Sequence, residues 1–553
     1  MSTQERLEKI QASICDIDFI TVDMAFALDS DFNVCGKVLL HVNEVTTLPF
    51  DVTILPEYPL KRYNAEAIKF SNVELLPYQH VMGNGSICIH TSHHPSLNQK
   101  LQIDFNSLLR WAKDYYLGGK KDVHYEHIIL QPKEIAGHHH SYFFTDVEYR
   151  FSDNEHGFFE YSRMKMGRHG DTPVLNNLIH TFYSKANKEL TECQWSDAVM
   201  RTTGRQKNIG LFVFLSTPPA IHGRFAYTNW LSFTGAICEE SLKFLYGFEK
   251  ANQKGIGGII PLLVGYKIDD IEIHWQVVML EIGRFPFGAE KVNQKWQGSI
   301  LESQVNWGIT RNCSYKYFFG RGGLCDRLTN GRILIVGIGA IGSILATSLV
   351  RGGCRKIDFV DHDVKEPENV CRSEYSFDTG INNKVDDLAN HLYAISPFVE
   401  IGILEESFFN LYLKALLQVS DAAKDLRNHL KQYELIFDCS TDNDLLYVLS
   451  DLEIDNLVTL SITNKANALI CSAEPQSYYW VINQFENVLE NDIEDLYNPT
   501  GCWSPTFKAS YNDVNVLVQQ ALKIINSKLG KSDTLKNFVL QTENDMTIKY
   551  LEF

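Results

Sequence analysis

A chain of 553 residues is too long for a single hydrophobic core and points to about three domains. With 44% apolar and 22% charged residues it reads as a soluble globular protein. A net charge of −17 argues against nucleic acid or an anionic membrane as the main partner, while leaving room for a small phosphorylated ligand that needs only a few placed cations.

The opening MSTQERLEKIQASICDIDF is charged and helical in pattern and lacks the apolar stretch of a signal peptide. Within it Leu7, Ile10 and Ile14 share one helical face. Strand-like runs follow (FITVDMAFAL, CGKVLLHVN, FDVTILP), then EYP and the turn HVMGNGSICIH, which sets Cys88 between two isoleucines. FNSLLRWAKDYYL reads as a closing helix with Leu108, Leu109 and Ala112 on its inner side. These elements predict a first α+β domain over residues 1–135, built on an antiparallel sheet.

AGHHHSYFF marks the next boundary. Three adjacent histidines on an extended chain point in different directions, so a surface loop is expected there and not a metal site. Residues 136–304 read as a middle α/β domain with strand-like NIGLFVFLS and EIHWQVVMLEIG and no chemical motif. Apolar runs such as GIIPLLVG are too short to cross a bilayer. The twelve cysteines include no CxxC pair, which suggests neither a zinc site nor a disulfide framework. A reduced, cytoplasmic setting fits that usage.

From residue 305 to 553 the pattern becomes strand, glycine loop, helix. RILIVG is a buried-strand run, Gly337, Gly339 and Gly342 form GxGxxG, SILATSLVRGG is a helix with a glycine stop, and KIDFVDHD is a second strand. This is a βαβ unit of a parallel, Rossmann-like sheet, and its glycines let backbone approach phosphates at a helix N-terminus. Asp361, ending the second strand, is placed to hold a ribose hydroxyl. An NAD-linked dehydrogenase and an ATP-dependent adenylating enzyme both fit so far, as does a glycine turn without ligand. Asp363, Asn369, Arg372 and Lys384 favour adenylation, because departing pyrophosphate needs fixed cations and a dehydrogenase does not. Asp442, just past a strand end in FDCSTDND, is placed to hold Mg²⁺ against a triphosphate.

This constellation resembles the ubiquitin-activating/ThiF superfamily, with its GxGxxGS, DxDxVxxxNLxRQ, Lys and DxxDN segments in order. The resemblance covers about residues 305–525 and implies that Asp361 binds ribose, that Asn369, Arg372 and Lys384 contact phosphates, and that Asp442 positions Mg²⁺ and the adenylate. Ser373 replaces the family's Gln, and the zinc-binding CxxC pairs of many members are missing. Family enzymes also borrow an Arg from a partner subunit; Arg311 and Arg321 are the candidates, and the family's homodimers would explain the loan.

Two cysteines stand in turn contexts suited to a reactive thiol. Cys502, in NPTGCWSPTF, precedes a helix beginning near Asn512, where fixed amide dipoles can lower a thiol pKa. Cys354 and Cys439 sit inside apolar elements and read as packing. Around Cys88 the order strand, LP-x-YP, turn, G-x-I-C, helix resembles a ubiquitin-conjugating domain. His80 occupies the position of that family's Asn, eight residues before the cysteine, as a donor to the oxyanion formed when an amine attacks a thioester. His93 and His94 are further candidates.

Together the two resemblances imply a fused conjugating–activating enzyme like that of bacterial CBASS antiphage systems. It would adenylate a protein C-terminus with Mg-ATP, hold it on Cys502, pass it to Cys88 and ligate it to a target lysine. The implied acyl donor is a cGAS/DncV-like nucleotidyltransferase, with a bacterial ubiquitin-like modifier as the alternative. An NAD-linked oxidoreductase, sulfur-carrier adenylation and a non-catalytic scaffold remain the competing readings.

Overall fold

The computed structural model describes the chain except residues 1–2, 121–127, 204–205, 269–271, 293–294, 405–419, 464, 474–476 and 489–508. It divides into two compact units. One comprises residues 1–133, 151–156 and 212–308, the other 134–150, 157–211 and 309–553. The stretch between 136 and 304 thus contributes to both. Among the described residues no helix is long and apolar enough to cross a membrane.

The first unit begins with helix α1 (Thr3–Cys15) and a meander of four antiparallel strands, β1 (Ile20–Leu28), β2 (Val34–His41), β3 (Thr47–Ile54) and β4 (Ile68–Ser71). Period-two alternation turns Val34, Val38 and Leu40 of β2, and Leu48, Phe50, Val52 and Ile54 of β3, into one core. Ile10 and Ile14 of α1 close one side of it.

Helix α2 (Leu97–Trp111) adds Leu101, Phe105 and Leu108, spaced for one helical face, to the same core. It starts eight residues before the expected FNSLL, and Leu109 is only partly buried while Leu108 and Ala112 are fully so. Residues Ala112–Leu117 widen into π turns, which lay Tyr115 and Tyr116 against the turn at 78–80, with ring centroids 4.6 Å from His80 and 4.8 Å from Tyr78.

The sequence pattern gave no hint of the charged pair inside this core. Lys100, 1% exposed, donates to Asp104 and, at 2.7 Å, to the Thr91 hydroxyl, and pairs with Glu66 at 3.2 Å. The Tyr58 hydroxyl donates to Asp104 at 2.9 Å, and the Thr91 amide to Glu66 at 2.9 Å. Burial opposes ionisation of Glu66, but Lys61, the Thr91 amide and Lys100 outweigh it and hold the carboxyl below its ordinary range. The network fixes the chain just after Cys88. Elsewhere in this unit the hairpin Ile259–Lys267/Ile273–Glu281 carries Trp275 into an aromatic cluster with Phe151, Phe212 and Phe214.

In the second unit an eight-stranded sheet is laid down from Arg332–Val336, with Lys356–Val360 and Glu400–Ile403 added on one side and Leu435–Asp438 and Leu457–Ile462 on the other, all parallel. Three antiparallel strands, Ala468–Ser472, Phe538–Thr542 and Ile548–Glu552, complete it. Strand order reverses between Arg332–Val336 and Leu435–Asp438, the point at which open α/β sheets bind ligands. The helices Ala340–Arg351 and Tyr511–Gly530 cover one face, burying Ile344, Leu345, Leu517 and Ala521.

The expected histidine loop is instead a strand. His139–Phe144 pairs in parallel with Thr172–Ser184 on one side and Ile309–Asn312 on the other, because the apolar Tyr142 and Phe144 draw the whole run into the sheet. Burial, with help from Arg163, pushes His140 down to about 4.

Removing one member of the buried network should cost more than removing the pair. Lys100→Met leaves the buried Asp104 without its counter-charge, while Glu66 keeps Lys61, and should destabilise the first unit by about 3–5 kcal/mol, with Lys100→Met/Asp104→Leu recovering part of the loss. Urea denaturation followed by hydrogen exchange in α2 measures both.

Candidate functional site

The glycine loop is shaped by close approach. Gly337 takes φ +77°, and a Cβ there would lie 2.5 Å from the Cα of Ser440. A Cβ on Gly342 would lie 2.1 Å from the Gly337 carbonyl oxygen, so only glycine lets the helix seat on the turn. Gly339 caps the twelve-residue helix and has no heavy atom within 4 Å of where its Cβ would be. That open side, at a helix N-terminus, is where a phosphate can meet backbone N–H groups.

The residues after Asp361 gather around this opening. Gly339, Ala340, Asn369, Arg372, Ser373, Tyr375 and Lys384 line one pocket. Asp361 accepts the Ile338 amide on Oδ2 and the Asp363 amide on Oδ1, each at 2.8 Å, which ties the second strand's end to the glycine loop. Lys384, buried at its own helix start, pairs with Asp363 at 2.7 Å. Burial opposes ionisation of Asp363, and the Lys384 bond outweighs it, holding the carboxyl low. The Asn369 side chain accepts the Glu366 amide at 2.9 Å, its carbonyl accepts the Ser373 hydroxyl, and Arg372 follows on the next turn. Ser373 therefore fills the Gln position with a local backbone bond. The buried Tyr375 hydroxyl donates to the Ile338 carbonyl; burial, then Asp361, raises its pKa.

Asp442 is exposed and caps the helix Asn443–Asp451, accepting the Asp444 and Leu445 amides at 2.9 and 3.1 Å on Oδ1. Asp442 is not among the residues lining the pocket. Asp361, His362 and Asp363 bring ligand atoms within 4.8 Å of one another, a second place where a divalent ion fits the donor set. Arg311 and Arg321 are both exposed, and Arg311 donates to the Thr310 carbonyl at 2.8 Å. A larger cavity of about 870 Å³, lined by Thr463, Asn512 and Glu543 among others, contains none of the motif residues.

Sequence reasoning missed Asp438. It ends the strand beside the glycine loop, 2% exposed, and accepts the Ser440 amide and hydroxyl at 3.1 and 2.7 Å. Burial pushes its carboxyl up to about 6. Its signal was the first acid of FDCSTDND, passed over for the second.

In the first unit Cys88 is half-buried, and its amide donates to the His80 carbonyl at 2.7 Å. His80 is left-handed, φ +59°, a region that His enters more readily than most residues. The His90 imidazole lies beside the sulfur, with Nε2 3.6 Å from Sγ. The i, i+2 spacing in CIH was the available sign of it. His93 is exposed and His94 Nδ1 accepts the Ser96 amide at 3.1 Å. Cys354 and Cys439 are buried, and burial lifts Cys354 to about 12. Cys502 lies outside the described residues.

Residues 310–463, which hold the glycine loop, the parallel strands around it and the clustered cations, match the ThiF family. The ATP-dependent ubiquitin transferase-like protein Cap2 of Enterobacter hormaechei is 24% identical over 381 residues, 63% of this chain and 60% of that protein. The chain thus spans less than two thirds of that relative's length. The tRNA threonylcarbamoyladenosine dehydratase 2 of Saccharomyces cerevisiae is 35% identical over 82 residues, 15% of this chain and 18% of that one. Among solved structures, E. coli MccB with ATP is 15% identical at a TM-score of 0.30, over 41% of this chain and 65% of MccB.

The Asp438 proton gives a pH signature. A carboxyl whose folded pKa is raised to about 6 contributes stability below the ordinary aspartate value and loses it as pH rises through about 6. Asp438→Asn keeps an acceptor for Ser440 and removes that loss. It should raise the melting temperature at about pH 8, by up to about 3 kcal/mol of stability, and change little at about pH 4. Calorimetric scans at the two pH values decide it.

Proposed function

We propose that this protein activates the C-terminal carboxylate of a protein substrate with ATP and transfers it through cysteine thioesters to an amine. The observation that carries the reading is the convergence of Gly339, Arg372 and Lys384 on one helix N-terminus inside a segment that matches the ThiF family. The similarity to Cap2 supports ubiquitin-like conjugation as the wider activity.

In this reading ATP is a substrate. Its phosphates lie at Gly339 and the N-terminus of Ala340–Arg351, with Asp361 at the ribose. The substrate carboxylate oxygen attacks the α-phosphorus, the bond to pyrophosphate breaks, and Arg372 and Lys384 take up the charge that grows on the leaving group. Lys384 is already held by Asp363, so little reorganisation is required of it. Mg²⁺ would be held by Asp442 and would neutralise phosphate charge.

The Cys502 thiolate then attacks the acyl carbon and AMP leaves. Thiol exchange moves the acyl group to Cys88, and a lysine amine attacks it there, with His80 as donor to the oxyanion. The three-part division at 135 and 304, the ubiquitin-conjugating-like first domain, a homodimer sharing Arg311 or Arg321, a cytoplasmic setting and a cGAS/DncV-like acyl donor complete the proposal.

Incubation with ATP, candidate donor proteins and labelled pyrophosphate tests it. Arg372→Ala and Lys384→Ala should each lower ATP–pyrophosphate exchange by about 10²-fold or more. Cys502→Ala should stop at the adenylate, and Cys88→Ala should stop at a thiol-sensitive adduct on Cys502. Exchange that survives both cation variants unchanged would overturn the reading.

A further inference from the structure

The middle region, without a chemical motif of its own, sends one side chain into the turn that carries Cys88. Arg224 lies between the short strands Ala220–Ile221 and Phe225–Ala226 and is 6% exposed. Its Nη1 donates to the Tyr78 carbonyl and its Nη2 to the Val81 carbonyl, the latter at 2.9 Å. Between them the Gln79 carbonyl accepts Trp111 Nε1 at 2.9 Å, and the His80 carbonyl accepts the Cys88 amide at 2.7 Å. Every carbonyl from Tyr78 to Val81 is therefore held, and the two outer ones by a single guanidinium.

That grip brackets His80, whose left-handed φ of +59° is unfavourable for a residue with a Cβ unless its surroundings impose it. Arg224 is itself anchored. The Ile129 amide donates to its carbonyl at 2.6 Å, and its guanidinium lies 5.2 Å from the Phe225 ring centroid. Phe225 in turn reaches the same turn, since a Cβ on Gly83 would touch its ring at 3.6 Å. A buried guanidinium is costly to desolvate, and here its planar fork spans two carbonyls three residues apart, which a lysine ammonium cannot do with one rigid group.

We propose that Arg224 is a positioning residue for acyl transfer from Cys88. It fixes the backbone on both sides of His80, and through the His80 carbonyl the peptide of Cys88 itself. The inference rests on the proposed thioester at Cys88. In that step the amine nitrogen attacks the thioester carbon and the new C–N bond forms. The C–S bond then breaks, and the amine's proton is released as Cys88 leaves as thiolate. A turn that drifts would separate the His80 imidazole and the sulfur from the developing oxyanion.

The test charges the full-length protein, in a Cys502→Ala background, with a glycine-ended peptide thioester of mercaptoethanesulfonate, which reaches Cys88 by thiol exchange without ATP. Peptide mass spectrometry locates the adduct, and discharge to free lysine is timed. Arg224→Ala and Arg224→Lys should each discharge about 10- to 100-fold more slowly than Arg224, and amide exchange across residues 78–90 should accelerate, while ATP–pyrophosphate exchange measured with Cys502 intact stays unchanged. Should Arg224→Ala fail to fold, Arg224→Lys carries the comparison. Unaltered discharge in the folded variants, or slower discharge with unaltered amide exchange at 78–90, overturns the proposal. If Cys88→Ala forms and discharges the adduct like the parent, the Cys88 reading itself has failed, a result separable from a Cys88 adduct that ignores Arg224.

Discussion

Between the strand Arg332–Val336 and the helix Ala340–Arg351 the backbone closes on itself so tightly that a methyl group at residue 342 would sit 2.1 Å from the Gly337 carbonyl oxygen. That contact aims the helix N-terminus at the reversal point of the sheet. Once it is aimed there, the neighbouring elements have fixed positions to occupy. Asp361 bonds the Ile338 amide, Tyr375 bonds the Ile338 carbonyl, and the pocket containing Arg372 and Lys384 forms around the open side of Gly339. A looser turn would leave the same residues in sequence without bringing them to one place.

The two sites share a way of being built. In each, part of the segment's backbone is pinned by bonds from outside it. Asp361 and Tyr375 pin Ile338 in the glycine loop, and Arg224, Trp111 and the Cys88 amide hold the four carbonyls of the turn at 78–81. The cost of holding such segments falls on buried polar groups, which are cheap only when fully partnered. An acidic chain can thus place a few cations where they act, with Lys384 in the second unit and Lys100 and Arg224 in the first all nearly sequestered from water.

Legibility in the sequence followed the range of the forces involved. The βαβ unit, the antiparallel meander and the helix beginning at Tyr511 were readable because a buried face repeats within a few residues. The gathering of Gly339, Asn369, Arg372 and Lys384 around one pocket was readable because all of them fall within the glycine loop and the segment just after the next parallel strand. The Lys100–Asp104 pair was not, since its i, i+4 spacing looks like any solvated helix pair until burial is known. Arg224 was not, because it acts across 146 residues of chain on two carbonyls, which leave no mark on the side-chain pattern. The histidine run misled for the opposite reason. Its polar residues outweighed Tyr142 and Phe144, which settle the segment as a strand between two partners.

The interleaving of the two units has a consequence for how the molecule can be made and dissected. The first unit is assembled from three separated stretches, the last ending near residue 308. On the ribosome, the turn bearing Cys88 would emerge long before the arginine that brackets it, and a fragment cut at residue 135 would be born without that arginine. The turn at 78–90 therefore gains its full set of bonds only after translation has run well past it, so folding of the first unit waits on chain made more than a hundred residues later.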